Sequence, residues 1–271
     1  MNNYLEIKNL TCGYSNAFQL KDVSFSITRG MFAGIIGPNG SGKTTLFRSI
    51  TGELEVRSGS ILLNTANLVT MPLKEKATRL AVVTQFTESL DISVEEYVIM
   101  GRIPYRGRFQ FFENTEDIRI AEKYMELTDV IHLRNHYMSQ LSAGEQQLAA
   151  IARALAQEPD LLLLDEPTAH LDISHQVQIL NLLQSLSTAP DLTVLMIIHD
   201  LNLAGEYCDY LVMLNKGRLH KKGTPNEVLN YSDIEEVYKT VVITQTNPLS
   251  KRPAVFLVSN KVLTKDRTNK N

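Results

Sequence analysis

Two short segments carry the residue types and spacings that could handle phosphate. Gly37-Pro38-Asn39-Gly40-Ser41-Gly42-Lys43-Thr44 fits G-x-x-x-x-G-K-[ST] in full. Glycines let a backbone curl until several N–H groups point inward at phosphate oxygens. A helix opening at Thr44 and running through Thr45 adds the partial positive charge of its N-terminus. Lys43 brings a full charge between the β- and γ-phosphates, and the Thr44 hydroxyl can reach Mg²⁺. The second segment is Leu161-Leu162-Leu163-Leu164-Asp165-Glu166, two carboxylates at the end of an apolar run. One can hold Mg²⁺ and the other can polarise an attacking water as general base. A glycine-rich turn with a solvated lysine, and a solvated acidic turn, are the plainer readings of these residues. The two segments occurring together favour a nucleoside triphosphatase.

Such chemistry needs strands that deliver loops to one edge of a sheet. Tyr4 to Leu10, Val23 to Ile27 and Phe32 to Ile36 are short and β-rich, broken by Gly13, Arg29-Gly30 and Gly37. Thr44 to Ile50 is expected to be a helix that Gly52 ends. Ile61 to Leu63 and Leu80 to Thr84 are further strand candidates. From about Ser93 the spacing turns helical, with Ile118, Ala121 and Met125 on one stripe and Leu148, Ile151, Ala152 and Leu155 on another. Leu161 to Leu164 and Leu192 to Ile198 are buried strands, separated by a helix carrying Ile179, Leu183 and Leu186. Unbroken apolar strands alternating with helices predict a parallel sheet covered on both faces. The stretch at 93–155 is then an insertion between two of its strands, and ligands collect beyond the carboxyl ends of those strands.

The chain has 271 residues, 44% of them apolar and 21% charged, with a net charge of −3. That composition excludes a disordered, collagenous or coiled-coil chain and gives no global pull toward nucleic acid. Cys12 and Cys208 are expected to be free thiols, and no apolar stretch approaches the roughly 18 residues of a membrane span. The first residues do not resemble a secretory leader. The polar tail at 259–271 is expected to fray.

Leu141-Ser142-Ala143-Gly144-Glu145, upstream of the acidic strand, resembles the L-S-G-G-Q signature of the nucleotide-binding subunits of ATP-binding cassette (ABC) transporters. The resemblance spans about residues 4–258. It departs at Ala143 and Glu145, and Gln146, Gln147 and Leu148 stand where basic residues commonly follow. It implies an α/β P-loop NTPase fold: a RecA-like parallel-sheet core, an N-terminal antiparallel β-subdomain and an inserted α-helical subdomain, all in one domain over 1–258. ATP and Mg²⁺ are the implied cofactors. Tyr14 would stack on adenine, Gln85 would sense Mg²⁺, Asp165 would hold it, Glu166 would be the catalytic glutamate and His199 would contact the γ-phosphate. Ser142, Gly144, Glu145 and Asp172 would complete the site of a second copy in a head-to-tail dimer.

Met100-Gly101-Arg102-Ile103-Pro104-Tyr105, the stretch from His199 to Ala204, Tyr207-Cys208-Asp209 and Gly223-Thr224-Pro225 resemble ATPases of iron–siderophore, haem and cobalamin importers. Uptake of a ferric chelate is the implied activity. Integral membrane permease subunits would be the direct partners and a substrate-binding protein an indirect one, with the chain peripheral on the cytoplasmic face of the membrane. Import of haem, cobalamin, zinc or manganese, a cytosolic ABC-type ATPase and a small-molecule kinase are the alternatives. No nucleic-acid partner is expected. The basic–aromatic run Tyr105, Arg106, Arg108, Phe109, Phe111 and Phe112 is assigned to a surface near the membrane partner. His132, His136, His170, His175 and His220 lack metal-ligand spacing and receive no role.

Overall fold

The computed structural model describes residues 3–14, 19–84, 91–107, 113–188 and 192–259. In chain order its elements are β1 (Asn3–Cys12), β2 (Leu20–Thr28), β3 (Phe32–Ile36), α1 (Lys43–Thr51), β4 (Val56–Leu63), β5 (Ala66–Asn67), α2 (Leu73–Arg79) and β6 (Leu80–Val83). Next come α3 (Val94–Ile99), a 3₁₀ turn at Met100–Tyr105, α4 (Thr115–Leu127), α5 (Ala143–Ala156), β7 (Leu161–Asp165), α6 (Ile173–Thr188) and β8 (Thr193–Ile197). The chain continues with α7 (Leu201–Tyr207), β9 (Tyr210–Asn215), β10 (Arg218–Gly223), α8 (Pro225–Val228), α9 (Tyr231–Tyr238), β11 (Val242–Thr246) and β12 (Pro253–Leu257).

The central sheet has the order β10-β9-β3-β8-β7-β6, parallel from β9 to β6, with β10 antiparallel at the edge. Period-two alternation sends its apolar side chains both ways. Leu162, Leu164, Val194 and Met196 pack into one core with the helices, while Leu161, Leu163, Leu195 and Ile197 pack into another with α1 and the N-terminal strands. That second layer is an antiparallel sheet of order β2-β1-β4-β5. A hairpin of β11 and β12 follows at the C-terminal end. Both expected sheets are therefore present, and the helices between β6 and β7 form the expected insertion.

That insertion is more broken than its periodicity suggests, because α3 gives way to the 3₁₀ turn. The turn is anchored by Arg102, whose guanidinium is buried. It lies 3.3 Å from Asp117 Oδ1 and 3.0 Å from Glu158 Oε2, and donates to the Ala156 carbonyl at 2.7 Å. Asp117 needs to face inward for this pair and for the box that caps α4 at Asn114. Its demand rotates the helix, so Ile118 is 39% exposed, and Asp117, Ile120, Ala121 and Met125 form the buried face. The expected Ile118 stripe is corrected accordingly. A buried charge needs its partners more than an isoleucine needs its burial. Among the described residues no helix is long and apolar enough to cross a membrane. Cys12 and Cys208 are free and buried.

Candidate active site

The loop between β3 and α1 is built on left-handed backbone. Gly37, Gly40 and Gly42 have φ of 145°, 76° and 109°, values that side chains other than glycine rarely adopt. Space is as decisive at Gly37, where a Cβ would lie 2.3 Å from the Leu214 carbonyl oxygen of β9. No side chain caps α1 at Gly42, so its first N–H groups remain for an anion. Lys43 is only 6% exposed and folds back over the loop, donating to the carbonyls of Gly37 at 2.8 Å and Pro38 at 3.3 Å. Burial lowers its pKa, with Glu166 and Asp165 acting in the opposite direction. The Ser41 hydroxyl is buried without a hydrogen-bond partner. A nest of glycine N–H groups, an inward ammonium and an orphaned hydroxyl are what a polyphosphate would satisfy, so these residues fit the β- and γ-phosphates of a nucleotide.

Register brings the second wall to this loop. β7 and β8 pair in parallel with Asp165 opposite Ile197, so Glu166 and His199 emerge from neighbouring strand ends. His199 Nε2 and Glu166 Oε1 are hydrogen-bonded to each other. The strand stops at Asp165 because Glu166 turns into the left-handed region at φ 53°. The two carboxylates thus diverge by a backbone turn as well as by strand alternation. Asn39, Gly40, Gly42, Lys43, Thr44, Thr45, Glu166, His199 and Tyr14 line one open cleft of about 380 Å³. Tyr14 stands at its mouth, 58% exposed, with its hydroxyl accepting from Arg48 at 2.8 Å and the Arg48 guanidinium 5.9 Å from its ring centroid. Arg48 was not singled out in the sequence, and nothing local to α1 points to it.

Thr44 and Glu166 also line an adjoining cavity of about 240 Å³ with Asp165, Arg48 and Thr84. A hydroxyl and a carboxylate meeting beside a phosphate loop suit Mg²⁺, which takes one or two protein oxygens and completes its shell with phosphate and water. Among the described residues no cluster of three His, Cys, Asp or Glu could hold a metal by itself. Gln85 lies outside the described residues, as do Arg108, Phe109, Phe111 and Phe112.

Burial, and next the charge of Glu166, raises the pKa of Asp165. A carboxyl raised in the fold is penalised when ionised, so the cost is present at neutral pH and is relieved as pH falls through the raised pKa. Asp165→Asn is therefore expected to raise the thermal midpoint, by about 2–4 °C for each kcal/mol relieved. A melting curve checks this, and a lowered midpoint would count against the assignment of strain to Asp165.

Ser142, Gly144, Glu145 and Asp172 do not line the cleft. Ser142 opens α5 through a reciprocal cap. Its Oγ donates to Glu145 Oε2 at 2.7 Å, its N–H donates to the same oxygen at 2.8 Å, and Glu145 N–H reaches Ser142 Oγ at 3.4 Å. Glu145 serves the cap as glutamine would, and these bonds hold its pKa below the usual carboxylate range. Gln146 braces the loop from behind, its Nε2 donating to Met138 O at 3.0 Å and Leu141 O at 3.2 Å. That contact gives a use to one position where the sequence departs from the expected basic run.

A family model described as "ABC transporter" matches residues 20–169. The iron(3+)-hydroxamate import ATP-binding protein FhuC of Bacillus subtilis (strain 168) is 35% identical over 252 residues, which cover 93% of this chain and 93% of that one. A solved metal-chelate type ABC transporter in an inward-facing conformation superposes with a TM-score of 0.84 at 27% identity, covering 97% of this chain and 100% of that chain. A dimeric bacterial ABC transporter cassette superposes with a TM-score of 0.72 at 28% identity, covering 81% of this chain and 98% of that chain.

Proposed function

The chain belongs to the ABC transporter ATPase family, and from that membership we propose that it hydrolyses ATP to drive uptake of a ferric siderophore or related metal chelate. The observation that carries the ATPase half is the Glu166–His199 pair at the lip of the phosphate-loop cleft. The names of the relatives support the cargo, and the chain's own cleft does not touch it.

Lys43 and the glycine N–H groups bind the β- and γ-phosphates. Thr44, Asp165 and Gln85 would hold Mg²⁺. Mg²⁺, when bound, neutralises charge on the phosphates and aligns them. Glu166 takes the proton of the attacking water, and His199 holds the carboxylate by its hydrogen bond. Tyr14 stacks on the adenine. Ser142, Gly144, Glu145 and Asp172 lie outside this cleft and serve a second copy, so two chains enclose two nucleotides. One ATPase domain over 1–258, with the helices between β6 and β7 as its inserted unit, is the arrangement this requires.

The chain works from the cytoplasmic face of the membrane with separate permease subunits, and through them with a substrate-binding protein. Ile92, Ile99, Met100, Ile103 and Ile118, together with Glu95, Glu96, Arg106 and Glu113, line a groove of about 490 Å³ on the inserted helices. Ile103 is 51% exposed there. A groove lined by both apolar and charged side chains suits an amphipathic helix of the permease. Ile103→Asp is expected to leave ATP hydrolysis of the isolated chain within about twofold while weakening permease association by about tenfold or more, as a buried interface anchor would. Co-purification checks this, and undiminished association would remove the groove from the interface. Uptake of labelled ferric siderophore in a strain lacking the chain tests the cargo. Normal uptake there would exclude it.

A further inference from the structure

The helices α5 and α6 begin alike. Leu141-Ser142-Ala143-Gly144-Glu145-Gln146 and Leu171-Asp172-Ile173-Ser174-His175-Gln176 share a leucine, a capping side chain, a residue three positions on that bonds back to the cap, and a glutamine. Gln176 Nε2 donates to Thr168 O at 3.2 Å and Leu171 O at 3.1 Å, as Gln146 does to its own loop. Asp172 Oδ1 accepts from Ser174 Oγ at 2.7 Å, from His175 N at 2.9 Å and from His175 Nδ1 at 2.9 Å. Those bonds keep Asp172 ionised, with its pKa brought down to about 2. An ionised carboxylate only accepts, so Nδ1 of His175 carries the proton it shares.

The rest of the imidazole faces the other helix start. A Cβ on Gly144 would lie 2.5 Å from Cδ2, 2.8 Å from Cγ and 2.9 Å from Nε2 of His175. The ring is therefore packed flat on the one residue of the signature loop that has no side chain to displace it. Its face meets Gly144 and its Nδ1 edge meets Asp172.

We propose that His175 is a positioning residue that ties Gly144 to Asp172, so that both groups meet the second copy as one rigid edge. The inference rests on the two-copy site proposed above, in which both groups reach across to the partner. Without the ring, the two loops would have to be ordered separately when the copies join, and that ordering would be charged against association. Binding of nucleotide to a single chain would not be affected, because neither loop lines its cleft.

The test uses the full chain carrying Glu166→Gln, so that hydrolysis does not drain the complex. Binding of a fluorescent ATP analogue to the single chain and ATP-dependent dimerisation by sedimentation are measured for His175→Ala, His175→Asn and His175→Phe. Asparagine keeps a hydrogen-bond donor near Asp172, and phenylalanine keeps a ring near Gly144. Nucleotide binding is expected to stay within about twofold, and His175→Ala to weaken dimerisation about tenfold, within the range of coupling between touching residues. The asparagine and phenylalanine chains should fall between alanine and the parent. In an Asp172→Ala background the further loss from His175→Ala should shrink to about twofold, since one end of the tie is already gone. Dimerisation as tight as the parent's in His175→Ala overturns the proposal, as does an undiminished loss in the Asp172→Ala background. If the alanine chain does not fold, the asparagine and phenylalanine chains decide by the same criterion. A parent that stays single with ATP overturns the two-copy reading itself, and this inference with it.

Discussion

Glu166→Gln is expected to bind ATP normally and to release phosphate about 10²–10⁴-fold more slowly, the range over which general-base catalysis acts. The amide keeps the size of the side chain and can still bond His199, so the left-handed turn at 166 and the pairing of strand ends should survive. What it loses is the capacity to take a proton from water. Because the terminal phosphate then persists, the two-copy complex should accumulate with ATP. Phosphate release and sedimentation read the two effects separately. Turnover at the parent's rate would move the base elsewhere, and slow turnover without accumulation would break the link between phosphate and association.

Lys43→Ala is expected to weaken ATP binding by about 10–100-fold, in keeping with loss of charge-assisted hydrogen bonds to phosphate. The ammonium is buried and its pKa is lowered mainly by that burial. A lysine lowered in the fold opposes folding while protonated, and that opposition is relieved as pH rises through the lowered pKa. The substitution should therefore damage binding without a matching loss of thermal stability in the chain alone. Equilibrium titration with ATP and a melting curve give the two quantities. Unchanged affinity would contradict the assignment of this loop to phosphate.

The phosphate loop was legible because its chemistry is local: consecutive residues supply the curl, the charge and the hydroxyl. The same holds for β7 and β8, whose apolar runs need both faces covered. Glu166 and His199 were legible as strand ends, but their bond depends on the register of β7 against β8, a contact between residues 33 apart in the chain. β10 escaped notice because its residues, Arg218–Gly223, are mostly polar and sit at the sheet edge. The inward turn of Asp117 was hidden in the same way, since its reason is an arginine fifteen residues earlier. His175 looked idle because its spacing to other histidines was the wrong thing to measure. Its partners are a carboxylate and a bare glycine.

The reciprocal cap at the start of α5 has a cost for the clamp proposed here. Ser142 has one hydroxyl proton, and Glu145 holds it at 2.7 Å. To offer that proton to a phosphate on the neighbouring copy, the serine would have to let go of the carboxylate, and the first turn of α5 would slacken as the copies met. Closure in the proposed clamp would thus be opposed by a small, local loosening that reverses when the phosphate departs. A grip fastened this way is self-releasing, and a pump that must open once per cycle needs such a catch more than it needs a tight one.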